Sequence, residues 1–187
     1  MNVYDFDGTI YNGDSSIDFY LFCLRANPLL IRFLPHQMKG FLMYALNRID
    51  KTQFKEHFFC FLNGVDTYAQ VSAFWKMKES RIMGWYLAQQ DEEDVIISAS
   101  PRFLLQPICE RLGKQNLIAS EVDKNTGKFL GPNCFGDEKV HRFQELFGKA
   151  QIDNFYSDSK ADLPMARLAR HAFFVEGNKV RDWEAMK

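Results

Sequence analysis

A chain of 187 residues with 47% hydrophobic and 15% aromatic content can bury a sizeable core, which excludes intrinsic disorder. Twenty-three basic residues stand against twenty-four acidic ones, a formal net charge of -1 that excludes a global field drawing the protein to nucleic acid. Charge arguments must therefore be local.

The opening MNVYDF has neither the basic start nor the apolar run of a secretory signal, and NVYDF predicts a first strand. Asp5 and Asp7 close that strand, and Gly8 and Thr9 turn the chain out of it. From residue 12 to about 92 the texture is helical, punctuated by Pro28, Pro35 and Asn63-Gly64. Residues 12–92 thus predict a helical cap inserted after the first strand, over a core formed by 1–11 and 93–187.

Between Phe19 and Ile49 there is no Asp or Glu, while Arg25, Arg32, Lys39 and Arg48 punctuate Leu, Ile, Phe and Met. Apolar stripes at helical spacing are expected to pack the cap helices together and onto the sheet, as are Phe54, Phe58, Phe59, Phe61 and Leu62. The same basic and apolar bias would suit an anionic membrane surface or a lipid phosphate. Charges and Pro35 interrupt it before it could span a bilayer.

After the insertion, short apolar runs alternate with helical stretches: DVIIS (94–98), NLIAS (116–120), NFYS (154–157) and AFFV (172–175). With NVYDF they predict five strands buried on both faces, hence an α/β fold with a Rossmann-like parallel sheet and helices on both sides. EVDKNTGKFLG predicts a hairpin turning at Asn125-Thr126-Gly127. Pro107 is expected to kink or divide the helix after Ser98. Cys23, Cys60, Cys109 and Cys134 form no CxxC pair and fit reduced thiols in a cytoplasmic protein. The four histidines show no pairing with Ser or Cys that suggests a triad.

Polar residues gather at the carboxyl ends of these strands, where doubly wound sheets bind ligands. Asp5 and Asp7 close the first, Ser98 closes DVIIS, and Asp158 closes NFYS with Asp162 four residues on; Lys139, in GDEKVHRF, can reach the same crevice. Like charges at close range raise one another's pKa, and a hard divalent cation resolves the repulsion. Mg²⁺ suits a few carboxylate oxygens, several waters and a substrate phosphate. The candidate metal set is Asp5, Asp7, Asp158 and Asp162: Asp5 and Asp158 as direct ligands, Asp7 through its carbonyl, Asp162 orienting bound water. Asp5 can then attack phosphorus, while Asp7 protonates the leaving oxygen and later deprotonates water. Gly8, Thr9, Ser98, Ala99 and Arg102 are the candidate substrate-binding residues, with Lys51 and Lys55 as further contacts. Taken alone, Ser98 would as readily cap a helix, and Lys139 would be a solvated lysine.

DFDGT, the run ending in Ser98, Lys139 and DSKAD (158–162) resemble, in order and spacing, the four motifs of the haloacid dehalogenase superfamily of phosphohydrolases. The resemblance covers nearly the whole chain. It implies Asp5 as nucleophile, Asp7 as acid/base and Lys139 as the charge partner. Dehalogenating members lack the second aspartate, so its presence implies phosphate ester chemistry. The insertion after the first motif resembles the cap of the phosphoserine phosphatase-like subclass IB. SASP (98–101), NCFGDEK (133–139) and YSDSKADLP (156–164) are similar to the branch that includes phosphatidylglycerophosphatase C. Phosphoserine phosphatases carry a cap arginine where FKEHFFCFLNGV offers phenylalanine, and a glycine pair where Ala99 and Ser100 stand; both departures point away from phosphoserine.

The implied function is a Mg²⁺-dependent phosphatase acting on a small phosphorylated metabolite through an aspartyl-phosphate. Alternatives are a lipid phosphate phosphatase peripheral to the membrane, a phosphotransferase, and a non-catalytic phosphate-binding regulator.

Overall fold

The computed structural model describes residues 1–183; the last four residues of the expected core segment, 184–187, lie outside them. Its sheet contains β1 (Asn2–Tyr4), β2 (Val95–Pro101), β3 (Asn116–Ser120), β4 (Ile152–Ser157), β5 (Ala169–Glu176) and β6 (Lys179–Asp182), in the order β3-β2-β1-β4-β5-β6. The first five run parallel and β6 is antiparallel. β1 is central, with Val3 paired to Val95 on one side and Phe155 on the other. The connection from β3 to β4 crosses to the far side of β1, so the strand order reverses there and a crevice opens at its carboxyl end.

Alternate residues of β1 to β5 enter opposite cores, as the two-residue pleat requires. Val3, Val95, Ile97, Ile118 and Phe155 pack with α7 (Asp137–Phe147) and α8 (Leu163–Ala166) through Phe143 and Met165. Tyr4, Ile96 and Leu117 pack on the other face with Phe19, Phe74, Trp75, Tyr86 and Leu104. Because both faces are covered, the runs are apolar without alternation.

Those partners on the second face come largely from the segment between β1 and β2. It forms α1 (Ser15–Ala26), α2 (Leu34–Ala45), α3 (Lys51–Phe59), α4 (Thr67–Lys78) and α5 (Gly84–Gln89), joined partly by 3₁₀ turns at Pro28–Phe33, Cys60–Gly64 and Glu79–Arg81. Asp14 caps α1 by accepting from Ile17 N, and Asp66 caps α4 by accepting from Ala69 N. Trp75 Nε1 donates to Leu104 O at 2.6 Å, tying α4 to α6 (Arg102–Arg111). α2 lies close against α3: a Cβ on Gly40 would come within 2.3 Å of His57 Cβ.

The cap stripe departs from the expected packing. Phe19, Cys23 and Leu30 are buried, as are Phe59, Phe61 and Leu62, but Leu29 is 72% exposed and Ile31 60% exposed. Met38, Phe41, Leu42 and Leu46 are likewise more than half exposed. The face of α2 toward α3 is taken by Gln37 and Gly40, which leaves these apolar residues of α2 and its flanking turns largely exposed, with Phe41 meeting Phe54 of α3 at its edge.

Two smaller differences remain, and the expected hairpin is present. β6 escapes an apolar-run reading because all four of its residues are exposed; the Gly177-Asn178 turn after β5 was its signal. α6 runs unbroken through Pro107. The hairpin at 121–130 is held by one bridge, Val122 to Phe129, with Asp123 accepting from Asn125 N and Thr126 N in the turn.

Candidate active site

Asp5 follows β1 directly, and its N–H still donates to Tyr156 O at 2.9 Å, so the strand's pairing carries the carboxylate to the sheet's end. Beyond it the chain tightens: Thr9, Ile10 and Tyr11 N–H groups all donate to Phe6 O, and Phe6 anchors the turn by packing on Tyr11 and Trp75. Gly8 has φ +69, and a Cβ there would stand 1.9 Å from Asp158 Oδ2. Glycine is required at this point both by the left-handed backbone and by the close approach of the carboxylate.

Lys139 is 2% exposed. It leaves the first turn of α7, which follows Gly136, and its Nζ lies 2.7 Å from Asp5 Oδ1 and 2.7 Å from Asp162 Oδ2. Ser157 Oγ donates to the same Asp162 oxygen at 2.7 Å. Asp162 therefore aims the ammonium at Asp5. Burial lowers the lysine pKa, but attraction to Asp5 and Asp162 outweighs it and holds Lys139 charged.

Burial pushes Asp5 up to about 7, against the lowering effect of Lys139, with Asp162 and Asp7 adding repulsion. Asp7 is pushed up to about 6 by burial and by Asp14; Ser100 and Ser15 hold it down. Its Oδ1 accepts from Ser15 N at 2.6 Å and its Oδ2 from Ser100 Oγ at 2.5 Å. Ser100 Oγ also lies 3.1 Å from Ser16 Oγ. Asp158 reaches about 6 through partial burial and the nearby Asp5 carboxylate.

The other expected residues take varied places. Thr9 Oγ1 accepts from Asp158 N at 3.0 Å, linking the ends of β1 and β4. Ser98 Oγ accepts from Ser100 N at 3.0 Å within β2. Ala99 presents its carbonyl to Lys55 Nζ at 2.8 Å. Arg102 is turned to Glu121, 2.5 Å away. Ser15, Ser16 and Ser100 hold or neighbour Asp7, a role that no spacing in the sequence signals.

The four aspartates do not form one cage: Lys139 bridges Asp5 and Asp162, and Asp7 is held by Ser15 and Ser100. Among the described residues no group of three or more His, Cys, Asp or Glu side chains is arranged to hold a metal by itself. What fits a cation is the pair Asp5 and Asp158: burial raises both carboxyls, Asp5 adds repulsion on Asp158, and the bare Gly8 leaves room for Asp158 to approach. A hard cation there would complete its shell with water and a substrate phosphate.

A family model described as haloacid dehalogenase-like hydrolase matches residues 3–167. The chain is 28% identical over 109 residues to a histidinol-phosphatase of Neisseria meningitidis, covering 50% of this chain and 48% of that one. It thus spans about half the length of that relative. It is 28% identical over 193 residues to Protein CicA of Caulobacter vibrioides, covering 89% of this chain and 81% of CicA. A probable phosphoserine phosphatase from Vibrio cholerae superposes with a TM-score of 0.68 at 13% identity, covering 91% of this chain and 55% of that one, which shows the shared α/β fold.

Proposed function

This chain belongs to the haloacid dehalogenase-like hydrolase family, and from that premise we propose that it is a phosphatase cleaving a phosphomonoester through an aspartyl-phosphate on Asp5. The observation that carries this reading is Lys139, fixed between Asp5 and Asp162, with Asp7 held separately two residues from Asp5.

In the first step an Asp5 carboxylate oxygen bonds to phosphorus as the ester P–O bond breaks, and Asp7 gives its proton to the leaving oxygen. In the second, water attacks phosphorus, Asp7 takes the water's proton, and the aspartyl P–O bond breaks to restore Asp5. A carboxyl with a pKa of about 6 suits both roles near neutral pH. Mg²⁺ would be held by Asp5, Asp158 and the Asp7 carbonyl, with Asp162 behind them, and supplies positive charge against the phosphate oxygens. Ser98, Gly8 and Thr9 shape the phosphate pocket.

We assign residues 12–92 as a cap over a core of 1–11 and 93–187, in the manner of the phosphoserine phosphatase-like subclass. The substrate class is a small phosphorylated metabolite, and histidinol phosphate belongs in the test panel because of the Neisseria relative's name. The decisive experiment is Mg²⁺-dependent phosphate release across soluble phosphomonoesters, with mass spectrometry of acid-quenched protein. A phosphoryl group on the wild type, with neither adduct nor turnover in Asp5→Asn, supports the mechanism; turnover in that variant rules it out.

A second reading, a lipid phosphate substrate met at a cytoplasmic membrane face as in the phosphatidylglycerophosphatase C-like branch, is favoured by one feature. The exposed apolar face of Leu29, Ile31, Met38, Phe41, Leu42 and Leu46 is flanked by Arg25, Arg32, Lys39 and Arg48, with no acidic residue from 19 to 49. No helix among the described residues is long and apolar enough to cross a membrane, so contact would be lateral. Co-sedimentation with phosphatidylglycerol vesicles, lost in Phe41→Asp, supports it; no binding at low salt removes it.

A further inference from the structure

α3 opens with a capping box: Asp50 Oδ1 accepts from Gln53 N at 2.8 Å, and Gln53 Oε1 accepts from Asp50 N at 3.0 Å. The box fixes where the helix begins, which places Lys51 in its first turn and Lys55 four residues on, along the same face. Both side chains reach the segments that build the acid crevice.

Lys55 Nζ donates to Ala99 O at 2.8 Å and to Asn133 Oδ1 at 3.3 Å. Ala99 lies between Ser98 and Ser100, and the Ser100 hydroxyl holds Asp7. Lys51 Nζ stands 3.3 Å from the centre of the Phe135 ring, just ahead of the Gly136 that precedes the helix of Lys139. The two lysines thus meet the segments that carry Ser100 and Lys139.

Neither lysine has a carboxylate within 4.0 Å among the described residues, whereas the fully buried lysines Lys114 and Lys139 both do. Burial lowers the pKa of both, Lys55 to about 8, as expected for cations withdrawn from water without a neutralising partner. Asn133 is 8% exposed; its carbonyl serves Lys55 and Ser120, and its Nδ2 has no acceptor. An unpaired buried donor costs free energy unless an acceptor arrives. Two ammonium groups without an ion-pair carboxylate and an unused amide donor therefore lie along one seam.

We propose that Lys51, Lys55 and Asn133 form a second anion subsite, so that the substrate is a phosphomonoester carrying another negative group, a carboxylate or a phosphodiester, beside the scissile phosphate. This rests on the phosphatase reading above and narrows it. The scissile phosphate lies at Asp5 and the second anion lies under α3. A phosphomonoester bearing an amine meets two like charges there and is disfavoured.

The test compares four esters with wild type: glycerol 3-phosphate without a second charge, 3-phosphoglycerate with a carboxylate, soluble glycerophosphoglycerol phosphate with a phosphodiester, and phosphoethanolamine with an amine. At least one doubly anionic ester is expected to exceed glycerol 3-phosphate in kcat/KM by about tenfold or more, chiefly through KM. Whichever does so identifies the source of the anion. In Lys55→Glu that ratio should collapse and phosphoethanolamine should gain on the anionic esters; Lys51→Glu provides the same readout should Lys55→Glu fail to fold. A cap tether with no role in binding would lower all four rates together and leave their ratios in place, which overturns the subsite while the phosphatase reading stands. Hydrolysis of none of the four, or of any other phosphomonoester, overturns both.

Discussion

Lys139 touches Asp5 at 2.7 Å although 134 residues separate them in sequence, and both are nearly inaccessible to water. The contact joins the first strand's end to a helix near the other end of the chain. Removing the ammonium leaves Asp5 and Asp162 facing each other with no buried cation between them. Lys139→Met is therefore expected to cost roughly 3–5 kcal/mol of stability and to abolish phosphate release. Urea denaturation measures the first, and unchanged stability would contradict the pairing described above. Lys139→Arg keeps the charge but not the compact geometry, and should remain inactive.

Gly8 and Gly113 have nearly the same backbone, φ +69 and +71, but different surroundings. An added Cβ meets Asp158 Oδ2 at Gly8 and nothing within 4 Å at Gly113. Gly113→Ala should lose about 1 kcal/mol from backbone strain and keep its activity. Gly8→Ala should lose that much or more and, by displacing Asp158, nearly all Mg²⁺-dependent turnover. Thermal melts and phosphate release on the pair separate strain from displacement; equal activity in both variants would deny Asp158 its place over the glycine.

Asp5, Asp7 and Asp158 all have pKa values raised above the ordinary 3.8, to about 7, 6 and 6. A carboxyl that holds its proton more tightly when folded favours folding below its unfolded pKa, and that contribution is lost as pH rises through the folded value. In chelator, the contribution of these groups should be present near pH 4 and gone above pH 7. The drop in thermal midpoint between pH 5 and pH 7.5 should be smaller in Asp5→Asn than in wild type. A drop of equal size would mean that Asp5 is ionised throughout that range.

Ser100 Oγ donates to Asp7 and lowers its pKa. Ser100→Ala removes a hydrogen bond to a charged acceptor, worth about 1.5–3 kcal/mol. The limb of the pH profile of kcat that reports Asp7 should therefore move to higher pH. An unmoved limb would assign it to another group.

The strands were legible because β1 to β4 and the 172–175 stretch of β5 are covered on both faces and so write themselves as apolar runs, and the acid cluster was legible because Asp5, Asp7 and Asp158 sit where such runs stop. β6, exposed throughout, leaves no such trace. The serines around Asp7 were hidden because Ser16 and Ser100 meet only after 84 residues of chain have folded between them. Lys55 likewise finds Ala99 across 44 residues, a contact no helical periodicity encodes. The exposed face of α2 misled for a related reason: spacing shows which residues of a helix share a side, but not whether another element arrives to cover it. At that face, Gly40 and Gln37 take the inner positions and leave Phe41 and Leu42 outside.

The central position of β1 bears on how the protein is made. Its three residues precede both strands that flank them, which begin at Val95 and Ile152. Val3 and Tyr4 must wait as unpaired apolar surface until most of the chain has been synthesised, and the crevice at Asp5 cannot close before Lys139 and Asp162 emerge. Local helices between β1 and β2 can form meanwhile, since their hydrogen bonds close over four residues rather than ninety or more. Folding should therefore begin in the helices between β1 and β2 and finish at β1, leaving that strand as the stretch most in need of protection from aggregation.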